Sequence, residues 1–138
     1  MNIGEKSPEM VAIEKKTRAA VEAYVNAWAT NDRAALLRAF AEDATWIDPA
    51  GTPPWHGRAK IGEFWDMAHG SGLTLEPVVQ RIVVCGNEAI LLFRMLVRMA
   101  GGGGMGLDAC DRMEINGQGK IQRCTAYWDQ GCVVPLDG

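Results

Sequence analysis

No apolar run in this chain approaches the ~20 residues needed to cross a bilayer. The opening stretch MNIGEKSPEM also lacks the apolar core of a signal peptide, so the expected location is cytoplasmic. Positive charge is not in excess: 14 Lys and Arg against 17 Asp and Glu leave a net charge of −3. That balance argues against a nucleic-acid or anionic-membrane partner, since both demand a basic surface. The densest basic stretch, Lys15, Lys16 and Arg18, follows Glu14 and suits a solvated helix face. Histidine is scarce, with only His56 and His69, and no HExxH or Cys/His cluster is present, so no metal site is expected. Cys85, Cys110, Cys124 and Cys132 show no CxxC spacing, and reduced, partly buried thiols are expected. There is no GxGxxG or P-loop. Gly101 to Gly104 is a flexible turn, because the Lys and Ser/Thr of a phosphate cradle do not follow it.

What remains is an ordinary globular composition, 48% hydrophobic and 22% charged in 138 residues, enough for one domain with a real core. Residues 1–8 are expected to be a loose leader, 9–134 the domain and 135–138 a tail. Val21, Tyr24, Val25 and Trp28 fall at i, i+3, i+4, i+7 and predict a helix over about 9–30. Asn31 and Asp32 stop it and cap a second over 33–41, with Leu36, Leu37 and Phe40 apolar. A short strand, 44–48, ends at Pro49, and 50–57 is a Pro/Gly loop. A third helix over 58–69 carries Ile61, Phe64, Trp65 and Ala68. Strands follow over about 74–84, 88–99, 105–115 and 120–130, joined at Gly86-Asn87, the glycine run and Asn116 to Gly119. Three helices and then antiparallel strands make an α+β domain, a sheet curled around helices into a cone with an apolar mouth. Leu91, Phe93, Met95, Val97 and Met99 alternate on one candidate wall, and Cys124, Ala126 and Trp128 on another.

One residue breaks the pattern. Met105, Leu107, Ala109, Asp111, Met113 and Ile115 form the buried series of an alternating strand, and a carboxylate there is costly unless paired or protonated. Taken singly, the polar residues on apolar faces have structural explanations. Tyr24 fits a core tyrosine, Asp48 an Asp-Pro turn, and Asp111 a partner of Arg94 or Arg98 or a shifted register. Together they describe a chemistry. An ionised Asp48 abstracts a proton from carbon beside a carbonyl, while Tyr24 and a neutral Asp111 donate to the enolate oxygen.

The stretch AEDATWIDPAGTPPWHGRAKIGEFW, the helix EAYVNAW, the strand LDACDRMEINGQGKI and the ending CTAYWDQ together resemble the ketosteroid isomerases. That family, steroid Δ5-isomerases of the nuclear transport factor 2-like and SnoaL-like superfamily, is itself a worked case of divergent carboxyl pKa values. The resemblance spans about residues 14–133. It implies Asp48 as base, Tyr24 and Asp111 as oxyanion donors, Trp128 at the pocket, no cofactor and a homodimer formed through the sheet. Further tyrosines found in some members correspond here to Phe40 and Trp65, whose indole offers a donor instead. The implied steroid site draws on Trp28, Trp46, Phe64, Trp65, Leu91, Phe93, Met95, Val97, Met113 and Trp128. The implied activity is isomerisation of a 3-ketosteroid. Two alternatives stay open, a polyketide-cyclase-like enzyme and a non-catalytic carrier of apolar ligands, because fold alone does not license activity.

Overall fold

Ser7 opens the first helix, α1 (Pro8–Ala29), by accepting a hydrogen bond from the Met10 amide at 3.2 Å, with Pro8 at a position that needs no amide proton. The computed structural model describes residues 4–70 and 72–136. Of the expected leader, residues 1–3 lie outside these; Lys6 already pairs with Glu14 on α1. Thr17, Ala20, Val21, Tyr24, Ala27 and Trp28 form the buried stripe of α1. Asp32 caps α2 (Arg33–Ala39), accepting from the Ala35 amide at 3.0 Å.

This second helix ends earlier than the expected residue 41. Phe40 is extended, fully buried, and opens β1 (Phe40–Ile47) by pairing with Ile121. Its carbonyl accepts two bonds from the Arg58 guanidinium, at 3.0 and 2.7 Å. A seven-residue helix has too few internal bonds to resist such tertiary pairing. The Pro/Gly loop likewise contains an unexpected two-residue strand, β2 (Trp55–His56), antiparallel to β1. Next come α3 (Arg58–His69), β3 (Thr74–Cys85), β4 (Glu88–Arg98), β5 (Gly104–Ile115) and β6 (Ile121–Tyr127).

The sixth strand stops three residues short of expectation, and a 3-10 turn, Gln130–Cys132, leads into β7 (Val133–Leu136). Residues 135 and 136, expected as tail, therefore belong to the sheet; 137 and 138 lie outside the described residues. The strand order is β2-β1-β6-β5-β4-β3, with β7 on the half of the β5 edge that β6 leaves free. Only the β1–β6 pairing is parallel among the described strands. The sheet curls around the helices, its register broken by an irregularity between Val79 and Arg81.

At its narrow end α1 clamps the β3–β4 turn. Thr17, 1% exposed, donates to the Gly86 carbonyl at 2.8 Å, and Glu14 accepts from the Gly86 amide at 2.7 Å. At the other end the glycine run closes β4 onto β5. Gly104 has φ +152°, and a Cβ there would run into the Val97 carbonyl oxygen. Gly104→Ala is therefore expected to cost about 2–3 kcal/mol, read as a lower Tm in thermal unfolding, whereas Gly101→Ala, in open space, leaves it unchanged.

Candidate active site

Three strands and one helix bring the expected polar groups to one cavity. On β5, Asp111 stands between Leu91 of β4 and Ala126 of β6, and it is 1% exposed. Tyr24, 3% exposed on the buried stripe of α1, donates to Asp111 Oδ2 at 2.8 Å. The competing partner is ruled out: Arg94 makes a two-pronged pair with Asp108 on the other face of β5, at 2.7 and 2.9 Å. Arg98 makes no ion pair with Asp111 either.

Asp48 follows β1 directly. Parallel pairing sets Trp46 beside Cys124, and the Ala50 amide donates to the Ala126 carbonyl at 2.8 Å, so the chain stays tied to β6 through Asp48 and Pro49. Trp128, just past the end of β6, reaches back to donate its indole N–H to Asp48 Oδ1 at 2.6 Å. Trp128 was expected at the pocket, but its bond to Asp48 was not foreseen. A strand pattern places a residue on a face and does not reveal which polar atom it meets.

The cavity measures about 480 Å³, within the range of small-molecule sites, and Tyr24, Asp48 and Asp111 all line it. Trp28, Trp46, Phe64, Phe93, Met95, Val97 and Trp128 line it too, as expected. Three other expected contacts do not. Leu91, paired with Asp111, and Met113 are almost fully buried and do not reach the cavity. Trp65 turns its ring onto Trp28 and His69, at centroid distances of 4.4 and 4.2 Å. It makes no hydrogen bond to Tyr24 or Asp111 among the described residues, so Asp111 is the one side chain that the Tyr24 hydroxyl meets. Phe40 only edges the tyrosine ring, at 6.2 Å. Met99 leaves the wall as well, 58% exposed beyond β4. Unforeseen lining comes from Met67, Leu73, Leu75, Gln130 and Val133. The last two arrive by the 3-10 turn and β7, which carry no long periodic signal.

Burial sets the electrostatics. It pushes the Asp111 carboxyl up to about 8; the Tyr24 hydroxyl pulls the other way, and the nearby Asp48 charge adds to the rise. Tyr24 is held well above the ordinary tyrosine value, first by burial and then by Asp111, so it remains a donor. Asp48, half-buried, is also raised by burial, while the Trp128 and Trp46 indoles favour its ionised form. The Trp46 indole N–H nonetheless makes no hydrogen bond among the described residues. The result is two carboxyls on one apolar wall, both raised by burial, with Asp111 carried up to about 8 and the rise of Asp48 opposed by its indole neighbours. Among the described residues no cluster of three or more His, Cys, Asp or Glu is arranged to hold a metal, and no helix is long and apolar enough to cross a membrane.

A curled sheet closed by three helices over such a cavity defines the nuclear transport factor 2-like α+β cone. The SnoaL-like domain model matches residues 21–124, and the chain belongs to that family. A steroid Delta-isomerase of Nocardioides simplex is 32% identical over 119 residues, covering 86% of this chain and 94% of the relative. Among solved structures, RV0760c of Mycobacterium tuberculosis, in complex with estradiol-17beta-hemisuccinate, superposes with TM-score 0.78 at 18% identity over 86% of this chain and 98% of its own. The epoxide hydrolase/cyclase-like enzyme SalBIII, described as acting in pyran ring formation in polyether salinomycin, gives TM-score 0.77 at 21% identity, over 89% and 98%. At these identities the two structures speak for the fold.

Proposed function

We propose that this protein is a steroid Δ-isomerase that moves a β,γ double bond of a 3-ketosteroid into conjugation. The observation that carries the reading is one apolar cavity lined both by Asp111, raised by burial to about 8 and bonded to Tyr24, and by Asp48, which accepts the Trp128 indole N–H. The name of the 32% identical relative supports it, as does the steroid bound by RV0760c.

In this reaction Asp48 takes the proton from the carbon between ketone and alkene. The C–H electron pair moves toward the carbonyl and leaves a dienolate with its negative charge on oxygen. Tyr24 and Asp111 already share a hydrogen bond, and an oxyanion seated against them draws both of their protons in a site that excludes water. Asp48, now the acid, returns the proton to the far end of the dienolate. The double bond comes to rest beside the restored ketone, so atoms and electrons balance without a further reactant. Aliphatic and aromatic walls hold the rings.

The test is purified protein mixed with a Δ5-3-ketosteroid, with the ultraviolet absorbance of the conjugated enone followed over time. Rapid appearance of the enone is expected. Tight binding of the steroid without turnover defeats the isomerase reading in favour of a carrier or an enzyme for another ring system. Tyr24→Phe separates a cyclase-like acid/base enzyme, which does not need the tyrosine, from the isomerase, which does.

A further inference from the structure

Two buried indole N–H groups, those of Trp28 and Trp46, find no acceptor among the described residues. An indole N–H is a donor only, and an unpaired buried donor is costly, so each calls for an explanation. Trp28 lies among aromatic faces, stacked on His69 and against Trp65. Trp46 differs in having a carboxylate for a neighbour. It sits in β1 two residues before Asp48, which follows the strand's end, and both line the cavity. Its ring is wedged among Tyr24, Phe40 and Phe64, at centroid distances of 5.7, 5.7 and 5.2 Å, and it has little freedom to turn toward anything else.

Trp128 already occupies Asp48 Oδ1. The titratable groups that feel the Asp48 charge are Asp111 from β5, Tyr24 from α1 and Cys124 from β6, none of them a cation. No Lys, Arg or His forms an ion pair with Asp48 among the described residues. Its ionised form therefore depends on neutral donors.

We propose that Trp46 is a positioning residue for the base: its indole N–H closes onto Asp48 alongside that of Trp128, holding the ionised carboxylate between two indoles. Two donors fix the carboxylate's direction toward the cavity and favour it over the neutral acid. They also make the protonated intermediate readier to give its proton back. The proposal rests on Asp48 as the base of the isomerase reading, and its test does not need turnover.

Carboxyl carbon NMR of aspartate-labelled protein, with the Asp48 signal assigned by its loss in Asp48→Asn, follows the carboxyl directly through a pH titration. The midpoint is expected to move up in both Trp46→Phe and Trp128→Phe, because each loses a donor to the charged form. In the wild type the Trp46 indole N–H resonance should titrate with the same midpoint as Asp48, and this response should vanish in Asp48→Asn. A Trp46→Phe midpoint equal to that of wild type overturns the proposal. So does a Trp46 indole signal that ignores the ionisation of Asp48, a readout that needs no folded Trp46 variant. In turnover, the acid limb of the kcat/KM profile moves to higher pH, with roughly three- to tenfold loss on that limb. Matching titrations in a protein that isomerises no ketosteroid leave the two-indole clamp standing and refute the isomerase reading alone.

Discussion

Asp48→Asn is expected to lower isomerase turnover by roughly 10²–10⁴, the usual cost of removing a positioned acid/base group. The substitution is close to isosteric. Its amide oxygen still accepts from Trp128, now 2.6 Å from Oδ1, so the wall around the base keeps its shape. It also removes a carboxyl that burial has already made reluctant to ionise, so the fold does not suffer. The loss is therefore confined to proton transfer. Enone absorbance measures it, while quenching of the tryptophans that line the cavity reports binding. Binding near the wild-type level with turnover abolished is the expected pair of results. Turnover within a few-fold of wild type would remove Asp48 from the chemistry, whatever the cavity holds. The wild-type rate should fall on acidification as Asp48 takes up its proton, and this limb should lie above the ordinary aspartate range because burial raises the group.

Much of this site was legible in the chain because its chemistry violates a pattern. Alternation along β5 put Asp111 on the buried series and Asp108 on the other, and the structure keeps both there, with Asp108 answering Arg94. The helical stripe of α1 likewise placed Tyr24 among core residues. What escaped has a common cause. Phe40 lies at the end of a helix whose own bonds are too few to hold it, and pairing with Ile121 decides its state. Strands of two and four residues, β2 and β7, are too short for periodicity and exist only because an edge is free to receive them. Alternation marks the face of Leu91 and Met113 correctly but says nothing of depth, and both are almost fully buried off the cavity. Trp65 shares a helix with Phe64, yet its ring is claimed by Trp28 and His69.

Asp111→Ala is expected to cost about 10²–10³ in turnover, the typical loss for one oxyanion donor. The pH dependence provides a second, independent reading of the same residue. With its carboxyl raised to about 8, Asp111 is a donor at neutral pH and becomes a buried anion above that value, so activity should fall as pH rises through about 8. With the acid limb of Asp48 this gives a bell whose two midpoints belong to the interacting pair. Stability makes the sign explicit. Between its ordinary value of 3.8 and about 8, the unfolded chain releases a proton that the folded chain keeps, so wild-type stability declines as pH rises through that window. Asp111→Asn lacks this titration. At pH 7 it should be the more stable protein by up to about 4 kcal/mol, an advantage that shrinks to nothing near pH 4. The asparagine amide still donates, so its turnover should lie between those of wild type and the alanine variant. Denaturant unfolding at pH 4 and pH 7 reads the stability arm and enone formation reads the other. An Asp111→Asn protein no more stable at pH 7 than at pH 4, relative to wild type, would mean that Asp111 is ionised in the fold and is no donor. Asp111 is thus costly to the fold at neutral pH while its neutrality serves the proposed reaction, and a single substitution should trade one against the other.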